Sequence, residues 1–161
     1  MYDQNSWLHV VEEYTRELTM LEIPPDLSPS GLIELQSRLD RLYTKVRLEH
    51  CQLAAELARL KEAYKVKSKI YYLEVKDQAR TEKEREALVY RRLCEDRYQG
   101  YELPEAVSIL QGQVAFLETV SSLISSKAQR LVSVLGSLKL EQSIMAIEVA
   151  GEMAQARARA S

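Results

Sequence analysis

Few residues in this chain are able to break a helix. Of 161 residues, five are Gly and four are Pro, and the dominant types are the strong helix formers Ala, Leu, Glu, Lys, Arg and Gln. Phe and Trp occur once each beside nine Tyr. Two cysteines are too few for a disulfide framework. Cys51 and Cys94 both fall inside helical patterns, which predicts buried thiols and a reducing compartment. His9 and His50 are the only histidines. His50 and Cys51 are neighbours pointing about 100° apart on a helix, and no further ligand follows at i+4, so no metal ligand is predicted. There is no Gly-rich phosphate loop and no Ser/His/Asp or Cys/His arrangement. The carboxylates are scattered rather than convergent. An enzyme is therefore not expected, nor a catalytic residue, nor a cofactor. The start "MYDQNSWLHVVEE" has no basic region before an apolar run. No window is read as approaching the ~20 apolar residues of a membrane span, so the expected location is cytoplasmic, with no membrane partner.

What is present is helical periodicity. Ser6 is placed to cap a first helix, in which Trp7, Val10, Val11, Tyr14, Leu18 and Leu21 share one face. Pro24 and Pro25 end it, and "PPDLSPSG" reads as a linker. Ser30 is the expected cap of a second, much longer helix. Its seam is Leu32, Leu35, Leu39, Leu42, Val46, His50, Leu53, Leu57, Leu60, Tyr64, Lys67 and Tyr71, stepping by three and four with one stutter at Val46–His50. Neither Pro nor Gly interrupts it up to Gln78. A helix of ~45 residues is about 70 Å long and must pair along most of its length.

The reversal is expected at "ARTEKEREAL". Thr81 followed by Glu84 has the spacing of a capping box, which starts the next helix at Glu82. A kink or restart is expected near Gly100–Pro104, because Pro104 would clash with the Gly100 carbonyl in a regular helix. Leu110, Val114, Leu117, Ser121, Ile124, Ala128, Leu131, Leu135 and Leu138 form a second seam matching the first. The expected fold is all-α, a long antiparallel, coiled-coil-like helical hairpin with an extra N-terminal helix. Its segments are a helix over 1–23, a linker over 24–31, the hairpin core over 32–140 and a helical tail over 141–161. Ile144, Met145, Val149 and Met153 keep an apolar face on the tail, which suggests a contact between copies in a homo-oligomer or a frayed end.

Charge is distributed unevenly. The formal total is −2, yet residues 1–58 carry −5, residues 59–80 carry +4 and residues 81–161 carry −1. Lys61, Lys65, Lys69, Tyr72 and Lys76 form one stripe, Lys67 lies on the seam, and Arg80 and Lys83 flank the reversal. Ammonium groups at successive turns suit successive phosphates, and tyrosine offers a face for base stacking. A duplex keeps its bases stacked on each other, so lysine interleaved with tyrosine fits single-stranded DNA. The candidate nucleic-acid-binding residues are thus Lys61, Lys65, Lys67, Lys69, Tyr72, Lys76, Arg80 and Lys83. The rival expectation is a structural or adaptor coiled coil, a scaffold or virion component, whose basic tip docks an acidic protein.

"KSKIYY", Lys67–Tyr72, resembles the Lys-Ala-Arg-Leu motif and following tyrosines of the UvsY-type phage recombination mediators. Lys67, Ser68, Lys69 and Ile70 stand at the four motif positions, with Ser for Ala, Lys for Arg and Ile for Leu. "TEKEREA" and the helix that follows to about Leu138 are similar to the second half of that family, so the likeness spans roughly Val46 to Leu138. The resemblance implies a homo-oligomer with a basic face for single-stranded DNA. It also implies a role in DNA recombination and repair, a recombinase and a single-strand-binding protein as partners, and the host cytoplasm as the location of a phage-encoded protein.

Overall fold

A computed structural model describes residues 1–22 and 28–160, with side chains at all of these except 29, 148 and 150–160. The order is α1 (Gln4–Met20), α2 (Pro29–Glu74), α3 (Glu82–Glu95), β1 (Arg97–Tyr98), β2 (Tyr101–Glu102) and α4 (Leu103–Ala160). The protein is all-α, 86% helical, with a two-stranded ribbon among the described residues. Residues 24–27 of the expected linker lie outside the described residues.

Both early caps fall nearer the N-terminus than the sequence suggested. Asp3, not Ser6, starts α1. One carboxylate oxygen accepts from the Asn5 and Ser6 amides at 3.0 Å each, and the other accepts from the Ser6 hydroxyl at 2.7 Å. Those bonds favour the ionised form and hold the Asp3 carboxyl below its usual range. Ser28, not Ser30, caps α2 by accepting from the Gly31 amide at 3.2 Å. Pro29 then takes the first helical position, where a missing N–H costs nothing.

The chain divides into two compact units. The first comprises Met1–Tyr14 and Thr44–Ser121. Its buried residues include Tyr14, Val46, Leu53, Leu60, Val75, Val89, Leu93, Leu103, Leu110 and Leu117. The start of α1 is pinned here to α4. Gln113, fully buried, donates to the Tyr2 carbonyl at 2.9 Å and accepts from the Tyr2 amide at 3.3 Å. Trp7 meets Phe116 edge to face, centroids 5.3 Å apart. The second unit comprises Thr15–Tyr43 and Ser122–Ser161. Leu21, Leu32, Leu35, Leu39, Leu42, Ile124 and Leu131 are its buried apolar residues. Each buried leucine contributes about 1.5–3 kcal/mol of transfer free energy. On the α4 tail, Leu140, Ile144, Met145, Ile147 and Val149 are exposed.

α2 ends at Glu74, four residues earlier than the uninterrupted pattern to Gln78 implied. The Val75 amide still reaches the Tyr71 carbonyl at 3.0 Å, but the Lys76 and Gln78 amides bond three residues back, to Leu73 and Val75, as the chain turns, and the Val75 side chain is buried. α3 then starts on the expected capping box. The Thr81 hydroxyl accepts from the Glu84 amide at 3.2 Å, and the Glu84 carboxylate accepts from the Thr81 amide at 3.2 Å. Thr81→Ala should lower stability by about 1 kcal/mol, read as an earlier urea midpoint with unchanged slope.

The restart near Pro104 is present and contains a turn that the sequence reading missed. Gln99 and Gly100 both have positive φ, 50° and 89°, the sign pattern of a tight hairpin turn matched to strand twist. Arg97 pairs with Glu102 across the ribbon. α4 begins at Leu103, so Pro104 lies in the first turn, where no intrahelical donor is required.

Two further expectations are corrected. The thiols are free but not buried: Cys51 is exposed and Cys94 half-buried. α4 also contains a stretch, Leu103–Ile147, long and apolar enough by length and composition to cross a membrane, within which an 18-residue window has mean hydropathy 1.3. Between Glu105 and Lys127 its only charge is Glu118. Uncharged Ser, Gln and Gly break up the apolar runs without adding charge, so no long unbroken apolar run marks the stretch. Within it Leu110, Leu117, Val120 and Ile124 are core residues.

Candidate nucleic-acid interface

The predicted basic residues separate into three groups. Lys61, Lys65 and Lys69 lie on α2 and are exposed. Spacing at i, i+4 and i+8 aligns them in one row with about 6 Å of rise between neighbours. Lys65 has a loose partner in Glu62 at 4.0 Å, and among the described residues no ion pair ties Lys61 or Lys69. Lys76 and Arg80 are exposed in the connection between α2 and α3, and Lys83 is exposed in the first turn of α3. The helical stripe therefore stops short of Lys76, because α2 ends at Glu74.

Lys67 is committed elsewhere. Its ammonium pairs with Asp96 at 2.7 Å, and the same carboxylate accepts from the Tyr71 hydroxyl at 2.9 Å. The bond to Asp96 raises the Lys67 pKa. Burial would raise the Asp96 carboxyl, but the bonds from Lys67 and then Tyr71 outweigh it and hold it below its usual value. Asp96 ends α3, so this cluster joins the C-terminal half of α2 to the α3–ribbon corner. Asp96→Asn should cost about 1 kcal/mol at neutral pH. A lowered folded pKa stabilises above the unfolded value and is lost below it. The gap between wild type and variant should therefore shrink as the pH falls below about 4, which urea melts across that range would show.

Tyr72 is also partly engaged. The Arg85 guanidinium lies over its ring, 5.2 Å from the centroid, and donates to its hydroxyl at 3.0 Å. Glu82 accepts from Arg85 and, at 3.4 Å, from the Tyr72 hydroxyl. Hydrogen bonding to Tyr72 is the main cause raising the Arg85 pKa.

A groove of about 390 Å³ lies between α2 and α3. Tyr64, Ser68 and Tyr72 line it from α2, and Glu82, Glu86, Val89, Tyr90 and Leu93 from α3. Val89 and Leu93 are buried and form its floor, while Tyr90 stands 56% exposed. A second recess of about 370 Å³, lined by Ser68, Lys69, Tyr72 and Leu73, shares Ser68 and Tyr72 with the first. Each lysine of the row is three residues before a groove residue: Lys61 before Tyr64, Lys65 before Ser68, Lys69 before Tyr72. Residues at i and i+3 are neighbours on a helix surface, so the cationic row runs alongside the aromatic groove.

Neither Tyr64, which the sequence places on the seam, nor Tyr90 is among the predicted binding residues. The available signal was that Tyr64, Ser68 and Tyr72 repeat at i+4 beside the lysines. Nothing local marks Tyr90, which joins them only because α3 folds back. The neighbouring Cys94 raises the Tyr90 pKa, so the phenol stays neutral at physiological pH. Burial raises the Cys94 thiol in turn, as does Glu102. Among the described residues no group of three or more His, Cys, Asp or Glu could hold a metal ion.

No protein-family model, no curated protein and no solved structure matches this chain.

Proposed function

We propose that this chain is a non-enzymatic single-stranded DNA-binding protein of the recombination-mediator kind, helping to load a strand-exchange recombinase. The observation carrying the reading is the row of Lys61, Lys65 and Lys69 beside a groove lined by Tyr64, Tyr72 and Tyr90. Three ammonium groups at about 6 Å rise suit the phosphates of an extended strand. Unstacked bases could then enter the groove, where stacking on tyrosine contributes about 1–3 kcal/mol per base. A duplex cannot offer its bases in this way. Lys76, Arg80 and Lys83 extend the cationic surface around the end of α2, and Lys67 supports it indirectly through Asp96.

On this reading the two long helices form an antiparallel hairpin with the basic segment at its tip. Copies associate, the exposed Leu140, Ile144, Met145, Ile147 and Val149 of α4 being the candidate contact. Several weak sites on one assembly then act together, because each contact raises the effective concentration for the next. Recombinase and single-strand-binding protein remain partners by the resemblance at Lys67–Tyr72. The same apolar face favours a second reading, an adaptor coiled coil that binds only protein. A gel-shift titration with labelled poly-dT at two salt concentrations separates them. The mediator reading requires a complex that weakens with salt, and absence of a complex at either concentration rejects it.

A further inference from the structure

We infer that the groove prefers bases carrying an exocyclic amino group, taking cytosine over thymine, with Glu86 as the specificity-determining residue. This rests on the reading of the groove as a single-strand site. Its two walls differ in chemistry. Tyr64, Ser68 and Tyr72 line the α2 side, with the lysine row alongside, whereas the α3 side carries Glu82 and Glu86. Carboxylates oppose phosphate binding, so their presence on a groove beside a cationic row calls for another partner. Glu82 already accepts from Arg85 and Tyr72. Glu86 is exposed, and among the described residues no ion pair ties it.

An ionised carboxylate accepts hydrogen bonds and donates none. Cytosine presents an N4 amino donor on its pairing edge, whereas thymine presents the O4 acceptor at that position. A pyrimidine stacked on Tyr90 or Tyr64 with its 4-position toward α3 would therefore give Glu86 a donor there only if it carries the amino group, because the N3–H of thymine is flanked by two carbonyl oxygens that repel a carboxylate. Thymine would set oxygen against oxygen. Phosphate contacts to the lysine row are the same for both bases, so they set affinity and cancel in the ratio.

The test compares fluorescently labelled twelve-residue oligo-dC and oligo-dT at pH 7.5 by anisotropy, on wild type and on Glu86→Gln. Wild type should bind oligo-dC about fivefold more tightly than oligo-dT. Glutamine can donate as well as accept, so E86Q should bring the two affinities together. Its exposed position leaves the fold intact, which circular dichroism checks. Equal or tighter binding of oligo-dT by wild type overturns the preference while leaving the single-strand reading standing. A preference that survives E86Q overturns the assignment to Glu86. Failure to bind either oligomer overturns both the preference and the function it rests on.

Discussion

Replacing Lys61, Lys65 and Lys69 together with Ala should weaken binding to a single-stranded oligonucleotide about a hundredfold near 0.1 M salt, and reduce the salt slope by about two. Each lysine that neutralises a phosphate on a single strand contributes about 0.7 to that slope, and three are removed. The side chains are exposed on one row of α2 and hold no close ion pair, so no internal partner is orphaned. Ala is the best helix former, so helicity and thermal stability should be kept. Lys67→Ala should behave differently. It leaves Asp96 with only Tyr71 as a side-chain partner, so it should lower stability and affect binding less than the row does. A triple variant with unchanged affinity and slope would show that the strand does not lie along this row.

Leu117→Ala should cost about 3 kcal/mol of unfolding free energy, within the 2–5 kcal/mol range of such truncations. Leu117 is fully buried on the second seam, one turn beyond the buried Gln113 that holds the Tyr2 backbone. Truncation removes transfer free energy and leaves a cavity. Leu123→Ala on the same helix is the control, because Leu123 is 49% exposed and should shift the urea midpoint far less. Equal effects at both positions would mean that the seam was misplaced.

The seams were legible because period-3.6 burial needs only leucine spacing. Leu32, Leu35, Leu39, Leu42, Val46, Leu53 and Leu60 are all buried, and so are Leu110, Leu117, Ser121, Ile124 and Leu131. The α3 start was legible for a different reason, since a capping box is a local device whose two hydrogen bonds lie within four residues. Features that depend on competition or on distant partners were not legible. Asp3 outcompetes Ser6 because its two oxygens accept three hydrogen bonds at once. α2 stops at Glu74, where the following amides turn to three-residue bonds and Val75 is buried, although neither Pro nor Gly marks the place. Lys67 and Asp96 lie 29 positions apart, so their ion pair has no signature in either segment. The candidate site was half legible. The lysine row shows in the spacing, but Tyr90 reaches the groove only through the return of α3. That return brings Glu86 as well, and changes the site from a basic stripe to a tyrosine-lined groove with lysines alongside one wall and carboxylates on the other.

Photocrosslinking tests the central claim most directly. A single-stranded oligonucleotide carrying 5-iododeoxycytidine is irradiated on the intact protein, and the adducts are mapped by mass spectrometry. Adducts at Tyr64, Tyr72 or Tyr90, lost on adding excess unlabelled strand, are the predicted result. A strand that binds yet crosslinks only to residues outside Tyr64–Leu93 would contradict it.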